Sequence, residues 1–136
     1  MSPDISHLRQ QIVRLRTERA ALEDQVLRSR AMVRGSLIEL MRKCGKASCK
    51  CQRGELHGPN AYLSLPRPGK RSQFLSIPPD KVKMLKDLNS RYHGYQQSLT
   101  RIRHIGREIE SLLVSLREEQ LRLGAKRVGL SGLPPT

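Results

Sequence analysis

CGKASCKCQRGELHGPNAYLSL, residues 44–65, is the stretch of the chain that differs most from helical sequence. It contains all three cysteines, Cys44, Cys49 and Cys51, and His57 follows them in the spacing C-x4-C-x-C-x5-H. Three thiolates and one imidazole suit a tetrahedral zinc ion, and ligands so close in sequence cost little loop-closure entropy. We therefore predict a structural Zn²⁺ site, with no coordination position left for catalysis.

Other interpretations of these residues stay open. The cysteines could be free or redox-active thiols, with Cys49 and Cys51 exchanging disulfides, or they could form a disulfide. The fourth ligand could also come from another histidine, namely His7, His93 or His104.

Segments with heptad-spaced apolar residues lie on both sides of this stretch. In residues 1–43 the apolar positions run from Ile5 to Val33 in steps of three and four, and Ser2 and Pro3 are expected to begin a helix. The pattern continues less regularly through Leu37, Leu40 and Met41, so the helix is expected to extend over them. A second helix is predicted for residues 80–123, after two prolines. We expect the two helices to pack antiparallel as a long coiled coil.

The apolar seam of the second helix is predicted to mediate oligomerisation. Its members are Leu85, Leu88, Tyr92, Tyr95, Leu99, Ile102, Ile109, Leu113 and Leu116. Ile105 and Leu112 are expected on an exposed flank of the same helix, together with Leu27 and Leu40 elsewhere in the chain. Further helices would cover such a flank, which favours a homodimeric four-helix bundle over a monomer.

The segment between the helices alternates apolar and polar residues. Residues 61–65 and 72–77, separated by a turn that contains Pro66 and Gly69, predict a β-hairpin. A two-stranded hairpin is marginal alone, so we expect the metal to hold its base. The predicted fold class is mainly α: a long antiparallel helical hairpin with a small zinc-braced β-hairpin head in residues 44–79, followed by a disordered tail in residues 124–136.

The chain carries 26 Lys and Arg against 12 Asp and Glu, for a net charge of +14. A field of this sign attracts polyanions such as nucleic acid. The residues assigned to phosphate contacts surround the cysteines and are Arg42, Lys43, Lys46, Lys50, Arg53, Arg67, Lys70 and Arg71, with Glu55 as the single acid among them. The alternative is a solvated basic loop. Tyr62 and Phe74 could stack on bases, although hairpin spacing favours packing across the strands.

No phosphate-binding glycine loop, paired carboxylates or nucleophile with a nearby base is recognisable, so we do not expect an enzyme. The N-terminus is polar and the apolar runs are short, so we expect a cytoplasmic protein without a membrane span.

The motifs Arg34–Leu37 (RGSL), CGKxxCxC from Cys44 and HGP from His57, followed by Tyr62 and Leu63, resemble an uncharacterised family of small bacterial proteins. Members of that family are often associated with mobile elements, near transposases or integrases. The chain departs from the family at Asn60 and Ala61, where members often have aromatic residues. It is also similar, in architecture only, to the zinc-ribbon and coiled-coil attachments of site-specific recombinases.

These observations lead to one functional hypothesis and one alternative. The hypothesis is a non-enzymatic, DNA-binding accessory protein that assists a transposase or integrase. The alternative is a coiled-coil adaptor that recruits a recombinase through protein contacts alone.

Overall fold

The computed structural model describes residues 4–130 and 132, and these form two helices and one three-stranded sheet. The helices are α1 (Ile5–Leu27) and α2 (Val82–Arg127), and the strands are β1 (Ser36–Arg42), β2 (His57–Leu65) and β3 (Gln73–Ile77). The chain divides into two compact units, Met1–Arg28 with Gln97–Thr136, and Ser29–Gln96. Within the described residues, no helix is long and apolar enough to cross a membrane.

The helix limits near both ends of the chain differ in detail from those predicted. Asp4 caps α1, and its carboxylate accepts a hydrogen bond from the backbone N–H of Ser6. The helix start predicted at Ser2 and Pro3 lies outside the described residues. At the other end, α2 continues to Arg127, into the segment expected to be a disordered tail, of which residues 131 and 133–136 are not described.

The predicted fold class, a long antiparallel helical hairpin with a zinc-braced β-hairpin head between the helices, is wrong. Helix α1 ends at Leu27, and Leu37, Leu40 and Met41, which were expected to continue it, lie on β1. The sheet is antiparallel in the order β1-β2-β3. The cysteine-rich stretch therefore connects β1 to β2 and does not close the base of a two-stranded hairpin.

Gly35 explains why a helix cannot continue through this region. Its φ of +100° is left-handed, and a Cβ at this position would lie 2.7 Å from the carbonyl oxygen of Ser64. Its own carbonyl accepts hydrogen bonds from Asn89 Nδ2 and His93 Nε2, each at 2.8 Å. Asn89 is buried and donates a further bond to the carbonyl of Val33. Two side chains of α2 thus hold the chain in the conformation from which β1 begins.

The predicted pairing of residues 61–65 with residues 72–77 is confirmed. Ala61 lies opposite Ile77 and Leu65 opposite Gln73, so β2 and β3 form an antiparallel hairpin. Leu63 lies between Leu37 of β1 and Leu75 of β3. Ala61 and Leu63 are buried, which makes their face of the sheet the core of the unit Ser29–Gln96.

The other unit is built around Ile12, Ile105 and Ile109, which are all buried. The residues packed against them are Leu15, Leu22, Leu112 and Leu116. Two members of the predicted α2 seam, Ile109 and Leu116, therefore face the core. Between them, Leu112 takes the place in the core that was expected for Leu113, one residue further along the helix.

This displacement corrects the assignment of the exposed flank. Ile105 is completely buried and Leu112 packs on the core, whereas Leu113, predicted to lie in the seam, is 50% exposed. Ile105 and Leu112 therefore give no support to a four-helix bundle. Leu27 is 81% exposed and Leu40 45%, as expected for these two. The oligomerisation role of the seam residues stays a prediction.

An ion pair on the surface of the same unit connects the two helices. Arg101 donates two hydrogen bonds to the carboxylate of Glu18, at 2.9 and 2.8 Å. These bonds lower the pKa of Glu18 below its ordinary value and raise the pKa of Arg101. Because both groups are exposed, the pair fixes how α1 contacts α2 more than it stabilises the fold.

Replacement of Ile105 by alanine tests the observed core. Ile105→Ala should lower the free energy of unfolding by about 2–4 kcal/mol, because it leaves a cavity among buried side chains. Leu113→Ala is the matched control and should cost less than about 1 kcal/mol, since Leu113 is half exposed. Urea denaturation followed by circular dichroism measures both. A larger loss for Leu113→Ala would contradict the displaced seam.

Candidate functional site

The β1–β2 connection carries the four predicted metal ligands. Cys44 follows the end of β1, Cys49 and Cys51 lie at the start of a 3₁₀ turn (Lys50–Arg53), and His57 is the first residue of β2. Arg42 pairs with His57 in the sheet. The strand pairing thus brings the two ends of the connection together.

The four side chains converge on one point. Their ligand atoms, the three Sγ atoms and a ring nitrogen of His57, all lie within 4.8 Å of one another. Cys49 Sγ is 2.9 Å from His57 Nε2, and Cys44 Sγ is 3.5 Å from Cys51 Sγ. All three cysteines are free thiols. Cys44, Cys49, Cys51 and His57 are therefore placed to hold a metal ion together.

Hydrogen bonds within the connection fix the positions of these ligands. The backbone N–H of Cys44 donates to Cys51 Sγ at 3.2 Å, and Cys51 is completely buried. Gln52 Nε2 donates to the carbonyl of Cys44, also at 3.2 Å. Such surrounding contacts orient metal ligands and tune them. Nothing in the sequence marked Gln52, because an amide side chain in a loop has no characteristic spacing.

The position directly after His57 requires a glycine, Gly58. Its φ is +120°, and a Cβ there would lie 2.8 Å from the carbonyl oxygen of Leu40 and 2.8 Å from the backbone nitrogen of Asn60. The register of the β1–β2 ladder shifts between Leu40 and Arg42, beside this glycine. The backbone can approach β1 this closely only without a side chain.

The other three histidines lie outside the Cys3His cluster. His93 donates to the carbonyl of Gly35, His104 pairs with Glu108, and His7 is an exposed residue of α1. Among the described residues, none of the three belongs to the cluster. The geometry therefore favours His57 as the fourth ligand.

The eight basic residues assigned to phosphate contacts are all exposed, but they form two groups. The first group lies on the metal-bearing connection and the end of β1, and consists of Arg42, Lys43, Lys46, Lys50 and Arg53. The second lies between β2 and β3 and consists of Arg67, Lys70 and Arg71. The length of β2, nine residues or about 30 Å, separates them. Sequence proximity had suggested a single cluster.

Tyr62 and Phe74 do not form a directly opposed pair. Tyr62 lies opposite Ser76, and Phe74 lies opposite Ser64, so the two rings are diagonal neighbours on one face of the sheet. Phe74 is 57% exposed and is not a core residue. Arg42 places its guanidinium over the Tyr62 ring, 5.6 Å from the centroid. Only the register, which the sequence does not contain, reveals this arrangement.

Fold and site together define a small protein in which a three-stranded antiparallel sheet carries a Cys3His cluster between its first two strands. A family model described as a domain of unknown function (DUF6788) matches residues 8–87, more than half of the chain. The chain belongs to this family, and the expected membership of an uncharacterised family is confirmed at that level. No curated protein and no solved structure matches the chain.

Metal binding by the purified chain tests the cluster. We expect one divalent ion per chain, with affinity reduced at least tenfold by Cys49→Ser or His57→Ala, because each removes a ligand. Cobalt titration followed by absorption spectroscopy measures stoichiometry and thiolate ligation together. His7→Ala is the matched control and should bind like the unchanged chain. Unaltered cobalt binding by His57→Ala would remove His57 from the ligand set.

Proposed function

We propose that this chain is a non-enzymatic nucleic-acid-binding protein. Its β1–β2 connection is held in shape by a structural Zn²⁺ ion, and its exposed basic side chains contact phosphates. DNA is the expected target.

The ligand set supports zinc as the ion. Three thiolates and one imidazole match the soft and borderline donors that zinc takes in structural sites. A tetrahedral ion with metal–sulfur distances near 2.3 Å separates its ligand atoms by about 3.8 Å. In the structure two of the separations are 2.9 and 3.5 Å and none exceeds 4.8 Å, so small side-chain adjustments would bring the ligand atoms to this spacing. Four protein ligands would fill the coordination sphere, which supports a structural role.

The observation that carries the proposal is the unpaired charge of the two basic groups. Within residues 4–130 and 132, none of the eight side chains forms an ion pair, and Glu55 is the single acid between Arg42 and Arg71. Acids elsewhere are engaged, as in the pairs of Glu18 with Arg101 and Glu39 with Lys86. Exposed cations without a carboxylate partner are available to displace counterions from a phosphate backbone.

The role beside another enzyme and the oligomeric state are also part of the proposal. The resemblance stated above supports an accessory role beside a transposase or integrase. A homodimer is proposed through the part of the predicted α2 seam that is left exposed, such as Leu113. The adaptor alternative is favoured by a different observation: Met41 and Leu56, on either side of the cysteines, are 49% and 39% exposed. Apolar side chains left in solvent beside a rigid loop suit a protein contact.

Removal of three members of the first basic group tests the phosphate contacts. The triple substitution Lys46→Ala, Lys50→Ala and Arg53→Ala should weaken binding to oligonucleotides at least tenfold at low salt. It should also reduce the slope of log K against log salt by about 2–3, since three counterion-releasing contacts disappear. Fluorescence anisotropy across a salt series measures both quantities.

The matched control removes the same charge elsewhere. Arg9, Arg14 and Arg16 are exposed residues of α1, and their replacement by alanine should change the affinity much less. Equal losses in the two triple variants would reduce the binding to a general effect of net charge. If the unchanged chain fails to bind double-stranded DNA, single-stranded DNA and RNA at low salt, the adaptor becomes the better explanation.

Extraction of the metal tests the structural role of zinc. The purified chain should contain zinc by elemental analysis, and a chelator should weaken oligonucleotide binding because the loop that carries Lys46, Lys50 and Arg53 loses its shape. The helical circular dichroism should persist, since the core around Ile12, Ile105 and Ile109 contains no metal ligand. Binding that survives complete zinc removal would contradict this role.

A further inference from the structure

The sheet has one covered face and one open face. Side chains alternate along a strand, so Leu37, Ala61 and Leu63 share one face, and Ala61 and Leu63 are buried there. Glu39 points to the same side and pairs with Lys86 of α2 at 3.1 Å, which places the start of α2 on this side of the sheet. The open face is defined by Ile38, Leu40, Asn60, Tyr62, Phe74 and Ser76.

Solvent reaches the open face over most of its area. Phe74 is 57% and Leu40 45% exposed, and Asn60 and Ser76 are exposed as well. An uncovered aromatic ring on a strand is unfavourable in water, because its apolar area stays hydrated. A ligand that covered Phe74 would remove this apolar area from water.

Two flat groups that could stack on a base lie on this face. Phe74 offers a free ring, and the guanidinium of Arg42 lies over Tyr62 as a second flat surface. Diagonal neighbours on a sheet, such as Tyr62 and Phe74, are about 7–8 Å apart between their Cα atoms. Nucleobases stack on both aromatic rings and arginine planes, and consecutive bases can occupy neighbouring platforms.

Positive charge borders the open face at both ends. The connection before β2 carries Lys43, Lys46 and Lys50, and the turn after β2 carries Arg67, Lys70 and Arg71. A phosphate backbone that runs along β2 would meet cations where it enters and where it leaves. An apolar protein partner would have to desolvate these charges without compensation.

We propose that the open face binds single-stranded nucleic acid. Unpaired bases stack on Phe74 and on the Arg42–Tyr62 pair, while the two basic groups hold the phosphates. A duplex keeps its base faces stacked inside the helix and cannot use these platforms. This inference rests on the proposed nucleic-acid binding and specifies the class of target.

Phe74→Ala separates this inference from the proposed function. It should weaken binding of single-stranded DNA and single-stranded RNA about tenfold and leave duplex DNA binding unchanged, because only unpaired bases stack. Leu75→Ala is the control, since Leu75 is 40% exposed on the opposite face of the same strand. Anisotropy titrations with oligonucleotides of matched length give the affinities.

A fluorescent reporter tests the stacking itself. The chain contains no tryptophan, so Phe74→Trp introduces a single indole on the open face. Saturable quenching by single-stranded oligonucleotides is expected for Phe74→Trp, and no quenching is expected for Leu75→Trp, which carries the indole on the covered side.

Four results would overturn the inference. Unchanged single-strand affinity of Phe74→Ala, or equal losses on single strands and duplex, would do so while leaving the proposed function intact. A change in assembly mass for Phe74→Ala, without any change in oligonucleotide affinity, would assign the open face to a protein contact. Failure of the unchanged chain to bind any oligonucleotide would remove the proposed function itself.

Discussion

The antiparallel pairing of β1 with β2 brings Arg42, the last residue of one strand, opposite His57, the first residue of the next. The chain between them must then return on itself within a short connection, and the three cysteines lie on that connection. The convergence of the ligand atoms within 4.8 Å follows from this closure. The same pairing places Arg42 beside Tyr62 and leaves one face of the sheet open. Ligand geometry and open surface are therefore two results of one strand pairing.

The pairing depends in turn on how the chain enters β1. Asn89 of α2 donates to the carbonyls of Val33 and Gly35, and His93 donates to Gly35 as well. These bonds satisfy backbone carbonyl oxygens just before the first strand. Asn89 is buried, so the loss of its partners would be costly. This contact within one unit positions the first strand of the sheet that carries the cysteines.

Local patterns in the sequence predicted part of this structure correctly. The cysteine–histidine spacing identified a set of residues that do converge, and alternation identified the β2–β3 hairpin. Heptad spacing located Leu8, Ile12 and Leu15 on the inner side of α1. Each of these features depends on residues close together in the chain, where periodicity and loop length suffice.

The failures involve distant partners. Leu37 and Leu40 fit a helical period, and only pairing with β2 makes them strand residues. In α2, Ile105 and Leu113 are both apolar, and contact with Ile12 of α1 decides which of them is buried. The exposure of Phe74 likewise depends on the register of β2 against β3. A sequence read in isolation contains no information on register, so Leu37 and Leu40 were assigned to the wrong element, and Ile105 and Leu113 to the wrong sides of α2.

The register shift between Leu40 and Arg42 determines which side of the sheet His57 faces. From Leu40 to Arg42 the chain advances by two residues, while its partner moves from Asn60 to His57, a step of three. Side chains alternate in direction along a strand. Relative to a regular ladder, the additional residue therefore places each earlier residue of β2 on the other side of the sheet. In a regular ladder of the same sequence, without this shift, Gly58 would lie opposite Arg42, and His57 would point to the other side of the sheet, away from the side on which it meets the thiols. A metal held by three cysteines alone would then keep one position for water, so a single residue in a strand separates a closed structural site from one with the coordination of a reactive centre.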